Sequence, residues 1–310
     1  MSVTISLKEL LEAGCHFGHQ AQRWNPKASW YIYTERDGIH IIDLVKTKEG
    51  LLNAIEFLKK TILNGGNVLF MGTKRQSKDI IRKEAQRAGV MFISERWPPG
   101  LLTNFDVMKK NLSYMKELRE RIENKEETVY TKREIGMFEK ELNKLEQLYG
   151  GIADLKEAPT VLFVTDVRQA SGAVKEAKKM GVLIIGIVDT NSDPDPIDYP
   201  IPANDDAVGS ISIIVKYITD TVSDAMDQRK KILANTEKED KSLDTNKLSE
   251  STNIKKEIRE EVLIEKKDSE KLVNSEKTET KTKTKITANK ENKKKEKKEI
   301  SKETKVLIEK

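Results

Sequence analysis

The chain has 310 residues, 56 Lys+Arg against 51 Asp+Glu, and a formal net charge of +5. That charge is unevenly placed: residues 229–310 carry 25 basic and 18 acidic side chains, leaving 31 and 33 for residues 1–228. The first 228 residues are therefore close to neutral, which excludes a nucleic-acid binder driven by a global positive field and leaves local patches. One cysteine, Cys15, rules out an intramolecular disulfide and fits a reducing compartment. The opening Met1-Ser-Val-Thr-Ile-Ser6 lacks a basic n-region and the chain has no 18-residue apolar run, so neither a signal peptide nor a membrane span is expected.

In chain order, Ser6-Leu-Lys-Glu9 has the form of a capping box opening a short helix that ends near Gly14. Ala13 to Lys27 then reads A-G-C-H-F-G-H-Q-A-Q-R-W-N-P-K, with two histidines, two aromatics and two cations but no helical or strand period, the mark of a binding loop. Tyr31–Thr34 and Ile39–Ile42 around Asp37-Gly38 predict a β-hairpin. Leu44 to Leu63 has apolar residues at helical spacing. Strands and helices alternate next: strand 67–71, helix 76–88 ending at Gly89, strand 90–93, then strand 160–165, helix 170–180 ending at Gly181, strand 182–188, a short strand near 199–201 and a closing helix 210–226. Such alternation implies parallel crossovers. Between the halves, Phe105, Met108, Leu112, Met115, Leu118 and Ile122, then Ile135, Phe138, Leu142, Leu145 and Tyr149, predict two antiparallel helices in a protruding coiled-coil hairpin.

The fold class read from this pattern is a three-layer α/β/α domain with a mostly parallel sheet of about five strands. It carries an inserted antiparallel coiled-coil hairpin and a disordered, charged C-terminal tail. The domain reads as 1–228 with the hairpin at 104–150. The Lys/Glu-rich tail, 229–310, is too polar to offset its ordering entropy, with Ile254, Ile258, Val262 and Leu263 able to support a single exposed helix.

The chemistry-bearing residues are few. Arg23, Trp24 and Lys27 combine cations for phosphates with an indole that can stack on an unpaired base. Gly72-Thr-Lys74-Arg75 follows a strand and opens a helix, an arrangement suited to anions. Arg96 stands in R-W-P-P-G-L-L-T-N-F, whose Pro98 and Pro99 restrict the loop before the hairpin. Cys15, His16, His19 and His40 do not make the paired four-ligand spacing of a structural zinc site, so no metal is expected. Asp189 to Pro196 fails as a calcium loop, with Pro194 where glycine is required. No nucleotide-binding glycine motif and no catalytic set occurs, so neither cofactor nor enzymatic step is expected.

H-F-G-H-Q with R-W-N-P-K, G-I-H-I-I-D-L at Gly38–Leu44, Phe70–Gln76, R-W followed by L-T-N-F at Arg96–Phe105, T-V-L-F-V-T-D-V-R at Thr160–Arg168, and V-D-T-N-S-D-P-D through I-P-A-N-D-D-A resemble the bacterial small-subunit ribosomal protein two family. Where the family usually has Leu-Gly, this chain has Pro98-Pro99. The resemblance covers about residues 3 to 227. It implies a structural component of the small subunit in the cytoplasm, located in the ribosome where head and body meet. It further implies small-subunit rRNA and other small-subunit proteins as partners, ribosomal protein one among them, with Arg23, Trp24, Lys27, Lys74, Arg75 and Arg96 expected on the RNA side. No membrane or small-molecule substrate is implied. The alternative reading is a doubly wound nucleotide- or phosphosugar-binding enzyme with its crevice beside Gly72, Asp166 and Asp189. A third is a coiled-coil scaffold self-associating through 105–149.

Overall fold

Continuous apolar runs along the central strands decide the architecture. The computed structural model describes residues 5–123 and 130–234. Its elements in order are α1 (Leu7–Glu12), β1 (Phe17–Gln20), β2 (Ile32–Arg36), β3 (Ile39–Ile42), α2 (Leu44–Leu63), β4 (Val68–Met71), α3 (Arg75–Ala88), β5 (Met91–Ile93), α4 (Phe105–Glu123), α5 (Lys132–Tyr149), β6 (Val161–Val164), α6 (Ser171–Met180), β7 (Leu183–Val188) and β8 (Tyr199–Pro202). A helix over 208–234, α7, closes the described chain.

The main sheet has five parallel strands in the order β5-β4-β6-β7-β8. Residues alternate strictly between its two faces. Val68, Phe70, Val161, Phe163, Ile185 and Ile187 join one core, with α1, α2, α3 and α7. Leu69, Met71, Leu162, Val164, Ile184 and Val188 join the other, with α6 and the start of α4. All residues of β4 and β6 are buried, as a strand covered by helices on both sides requires. Phe70 and Phe163 meet edge to face at 5.2 Å across this register, each worth about 1.5–3 kcal/mol on burial. β8 holds Pro200 and Pro202, and proline is tolerated there because β8 is an edge strand.

The hairpin of β2 and β3 forms as expected. Asp37 at φ 52° and Gly38 at φ 75° give the two consecutive left-handed residues that a tight two-residue turn demands. The Ala13–Lys27 stretch corrects the sequence reading. It contains β1, which pairs antiparallel with β3, and two short 3-10 turns at Ala21–Arg23 and Pro26–Tyr31. A four-residue strand with mixed exposure leaves no period to detect. The capping box is also corrected. Ser6 caps Lys8 N–H, while Glu9 instead accepts the Tyr217 hydroxyl at 2.7 Å.

α4 and α5 pack against each other: Tyr114 donates to Glu141 at 3.0 Å and Arg119 pairs with Glu146 at 2.6 Å. The base of this pair is part of the domain, since Met108 and Leu112 belong to the main core. A reciprocal capping box at Thr131 and Glu134 opens α5. The polar turn expected at Glu123–Thr131 falls mostly on 124–129, outside the described residues, as does the expected tail from 235 on, including the segment of Ile254 to Leu263. α7 itself continues past 228 to 234.

Candidate nucleic-acid interface

The N-terminal loop is held against the carboxyl edge of the main sheet. Asn25 N–H donates to Thr190 O at 2.7 Å, His19 N–H to Thr190 Oγ1 at 2.9 Å, and Asn204 N–H to Cys15 O at 3.1 Å. Asn25 also caps the Pro26–Tyr31 turn by accepting Lys27 N–H. This leaves Trp24 39 % exposed, its indole 5.3 Å from the His40 ring. Arg23 is exposed and has no ion pair among the described residues. Lys27 is exposed too, but its ammonium lies 2.8 Å from Asp193 and 2.5 Å from Asp195, and these hydrogen bonds push it up to about 12.

Lys74 is turned inward. Its ammonium lies 3.4 Å from Asp166, 2.9 Å from Asp205 and 2.5 Å from Asp206. Burial opposes its charge, yet the carboxylates of Asp206 and Asp205 outweigh burial and raise its pKa. His19 completes the cluster, with Nδ1 3.1 Å from Asp189 and Nε2 3.1 Å from Asp206. Gly72, two residues before Lys74, is closely packed: a Cβ there would stand 2.6 Å from Ile81 Cγ1 and 3.0 Å from both Ser77 Oγ and Thr165 Oγ1. The crevice of the enzyme reading, beside Gly72, Asp166 and Asp189, is thus filled by a lysine of the chain itself.

Arg75, at the start of α3, and Arg96, just after β5, are exposed and without an ion pair among the described residues. Arg168 after β6 has the same character, and sequence reasoning passed over it inside T-D-V-R. Two exposed aromatics were also passed over. Trp30 is 73 % exposed with the Lys46 ammonium 4.3 Å from its ring, and Tyr33 is 75 % exposed. The W-Y-I-Y run, alternating into a hairpin strand, was the signal for them.

The loop between Arg96 and α4 is fixed by one carboxylate. Glu176 accepts from the Trp97 indole at 3.2 Å, Gly100 N–H at 2.8 Å and Leu102 N–H at 3.2 Å. Burial pushes its carboxyl up, but these donors outweigh burial and hold it below the usual range. Pro98 lacks an N–H yet contributes its carbonyl, which accepts Leu101 N–H at 3.1 Å. The prolines are therefore accommodated in a turn that Glu176 closes.

The metal question has a specific geometric form. Among the described residues, the His/Cys/Asp/Glu groups whose ligand atoms converge within 4.8 Å of one another are His19, Asp205 and Asp206, not Cys15, His16 and His40. Their polar atoms are already engaged: His19 with Asp189 and Asp206, Asp205 and Asp206 with Lys74.

A family model described as Ribosomal protein S2 matches residues 10–225. The chain belongs to the ribosomal protein S2 family. That family is structural and non-enzymatic, and membership gives the chain a small-subunit ribosomal role in translation. It also overturns the reading of the hairpin as a scaffold unrelated to ribosomes. No helix among the described residues is long and apolar enough to cross a membrane.

The S2-family chain should show a pH signature from its Asp/His cluster. Burial and the charges of Asp189 and Asp166 push the Asp205 carboxyl up to about 7. The hydrogen bond to Asp189 raises His19 above its ordinary 6.5. A raised folded-state value contributes stability that is complete below the unfolded value and lost as pH climbs through the folded one. Both groups therefore act in the same direction, Asp205 between its ordinary 3.8 and about 7 and His19 from 6.5 upward, and the Tm of the chain is expected to fall between pH 5 and pH 7. Asp205→Asn, which cannot ionise, should flatten that fall. A Tm that rises over this window would contradict the assignment.

Proposed function

We propose that this chain binds small-subunit rRNA and neighbouring ribosomal proteins at the junction of head and body, and that it supports docking of ribosomal protein one. The observation that carries the RNA part is the division of its cations. Lys27 and Lys74 are neutralised by aspartates, whereas Arg23, Arg75 and Arg96 are exposed and have no ion pair among the described residues, Arg23 beside an exposed indole. Unpaired guanidinia beside an exposed aromatic suit phosphates and unstacked bases. In this reading Arg23, Trp24, Arg75 and Arg96 touch RNA, while Lys27 and Lys74 hold the loops that present them. The described body reads as one domain with its hairpin inserted, and residues beyond 234 add sequence-independent contacts with RNA phosphates.

Affinity for small-subunit RNA across a salt series tests this. A chain ending at 234 should show a shallow dependence, and Arg23→Ala should lower the slope by about one and weaken binding by about 1 kcal/mol. A slope corresponding to about ten phosphates would contradict the local-patch reading. Indifference to both Arg23→Ala and Trp24→Ala would remove the N-terminal loop from the interface.

A further inference from the structure

The loops leaving the carboxyl ends of β4, β5 and β6 surround a cavity of about 300 Å3. In the order β5-β4-β6 the chain runs from β4 outward to β5 and then back past it to β6. Strand order reverses between β4 and β6, and it is at such a reversal that open α/β sheets accept ligands. The cavity is lined by Thr73 after β4, Arg96, Trp97 and Pro99 after β5, and Gln169 and Gly172 after β6. It lies beside the crevice that Lys74 fills, on the β5 side.

The charges around it are not balanced. Its two carboxylates are occupied, Glu95 by Lys78 at 2.5 Å and Arg82 at 3.2 Å, and Glu176 by the donors named above. Arg96 is left without a carboxylate among the described residues. Arg75, the first residue of α3, and Arg168, in the turn after β6, follow strands of the same edge, exposed and equally unpaired among the described residues. Thr73 and Gln169 add neutral hydrogen-bonding groups, and Trp97 with Pro99 an apolar wall.

We propose that this cavity receives one nucleotide, with its phosphate on Arg96 and the flanking Arg75 and Arg168, and its base or ribose against Trp97 and Pro99. About 300 Å3 is the lower end of the range for small-ligand pockets, room for a mononucleotide but not for a duplex. The ligand chemistry is a nucleotide phosphate, and its source is either an unstacked residue of RNA or a free mononucleotide. In the first case the inference rests on the RNA-binding reading above.

The test uses the full chain with two probes: 5′-AMP by calorimetry and a short fluorescent single-stranded oligoribonucleotide by anisotropy. Arg96→Ala and Arg168→Ala should each weaken the bound probe by about fivefold or more. Gly172→Leu should do the same by filling the cavity, since Gly172 lines it and a Cβ there meets nothing within 4 Å, and an unchanged Tm shows that the fold is kept. Arg133→Ala, at an exposed arginine of α5 with no ion pair among the described residues, should change nothing. Binding of AMP identifies a free nucleotide as the source, and binding of the oligonucleotide alone identifies an RNA residue. The inference is overturned if neither probe binds, if Gly172→Leu binds as the parent does, or if Arg133→Ala weakens binding as much as Arg96→Ala. Unchanged probe binding in the variants, with subunit association intact, sinks this inference alone. Failure of the parent chain to associate with small subunits sinks the functional reading alone.

Discussion

Lys74→Met is expected to destabilise the fold by about 3–5 kcal/mol at neutral pH, the cost of leaving buried charge without its partner. Among the described residues Lys74 is the ammonium paired with Asp166, Asp205 and Asp206, and its side chain is only 18 % exposed. Methionine fills similar volume, so the loss reports charge and not a cavity. It should shrink as pH falls and Asp205, raised to about 7, takes up a proton. Asp205→Asn should recover part of it in the double variant, because the two residues are in contact. Urea unfolding at pH 7.5 and pH 5 measures both. A loss below about 1 kcal/mol at pH 7.5, the size of an exposed ion pair, would show that Lys74 is not needed for charge balance.

Glu176→Leu is expected to cost about 3 kcal/mol, because three partly buried donors lose their acceptor together. Glu176→Gln keeps an acceptor oxygen and should cost about 1 kcal/mol, through weaker neutral hydrogen bonds. The consequence reaches beyond stability. Arg96 and the start of α4 flank the loop that Glu176 closes, so the leucine variant should expose 98–104 to limited proteolysis while the sheet persists. Proteolysis at the parent rate would mean that Pro98 and Pro99 fix the loop by themselves.

Most of the architecture was legible because it is periodic. Runs such as Val161–Val164, apolar at every position and set between helical patterns, read as strands covered on both faces, and the three-four spacing of Met108, Leu112, Met115 and Leu118 reads as one helix face. β1 was hidden because four residues with mixed exposure carry no period. The site was harder to read, because charge balance is set by residues distant in sequence. Nothing near Lys74 announces that Asp166, Asp205 and Asp206 close around it, and nothing near Lys27 announces Asp193 and Asp195. A lysine in a basic motif reads as a phosphate ligand until the fold supplies its aspartates. The reverse holds for Arg168, which lies among buried residues of a recognisable strand signature yet ends up exposed and unpaired. Trp30 and Tyr33, which the sequence reading passed over, face solvent at the edge of the three-stranded sheet and its approach.

Sedimentation of the full chain with small ribosomal subunits, before and after a high-salt wash, tests the central claim most directly. The chain is expected in the small-subunit fraction at moderate salt and largely retained after the wash, since a near-neutral body depends on packing with its neighbours as much as on phosphates. Arg23→Ala combined with Trp24→Ala is expected to release it on washing. A parent chain found outside the small-subunit fraction at moderate salt would contradict the assignment of this protein to the subunit.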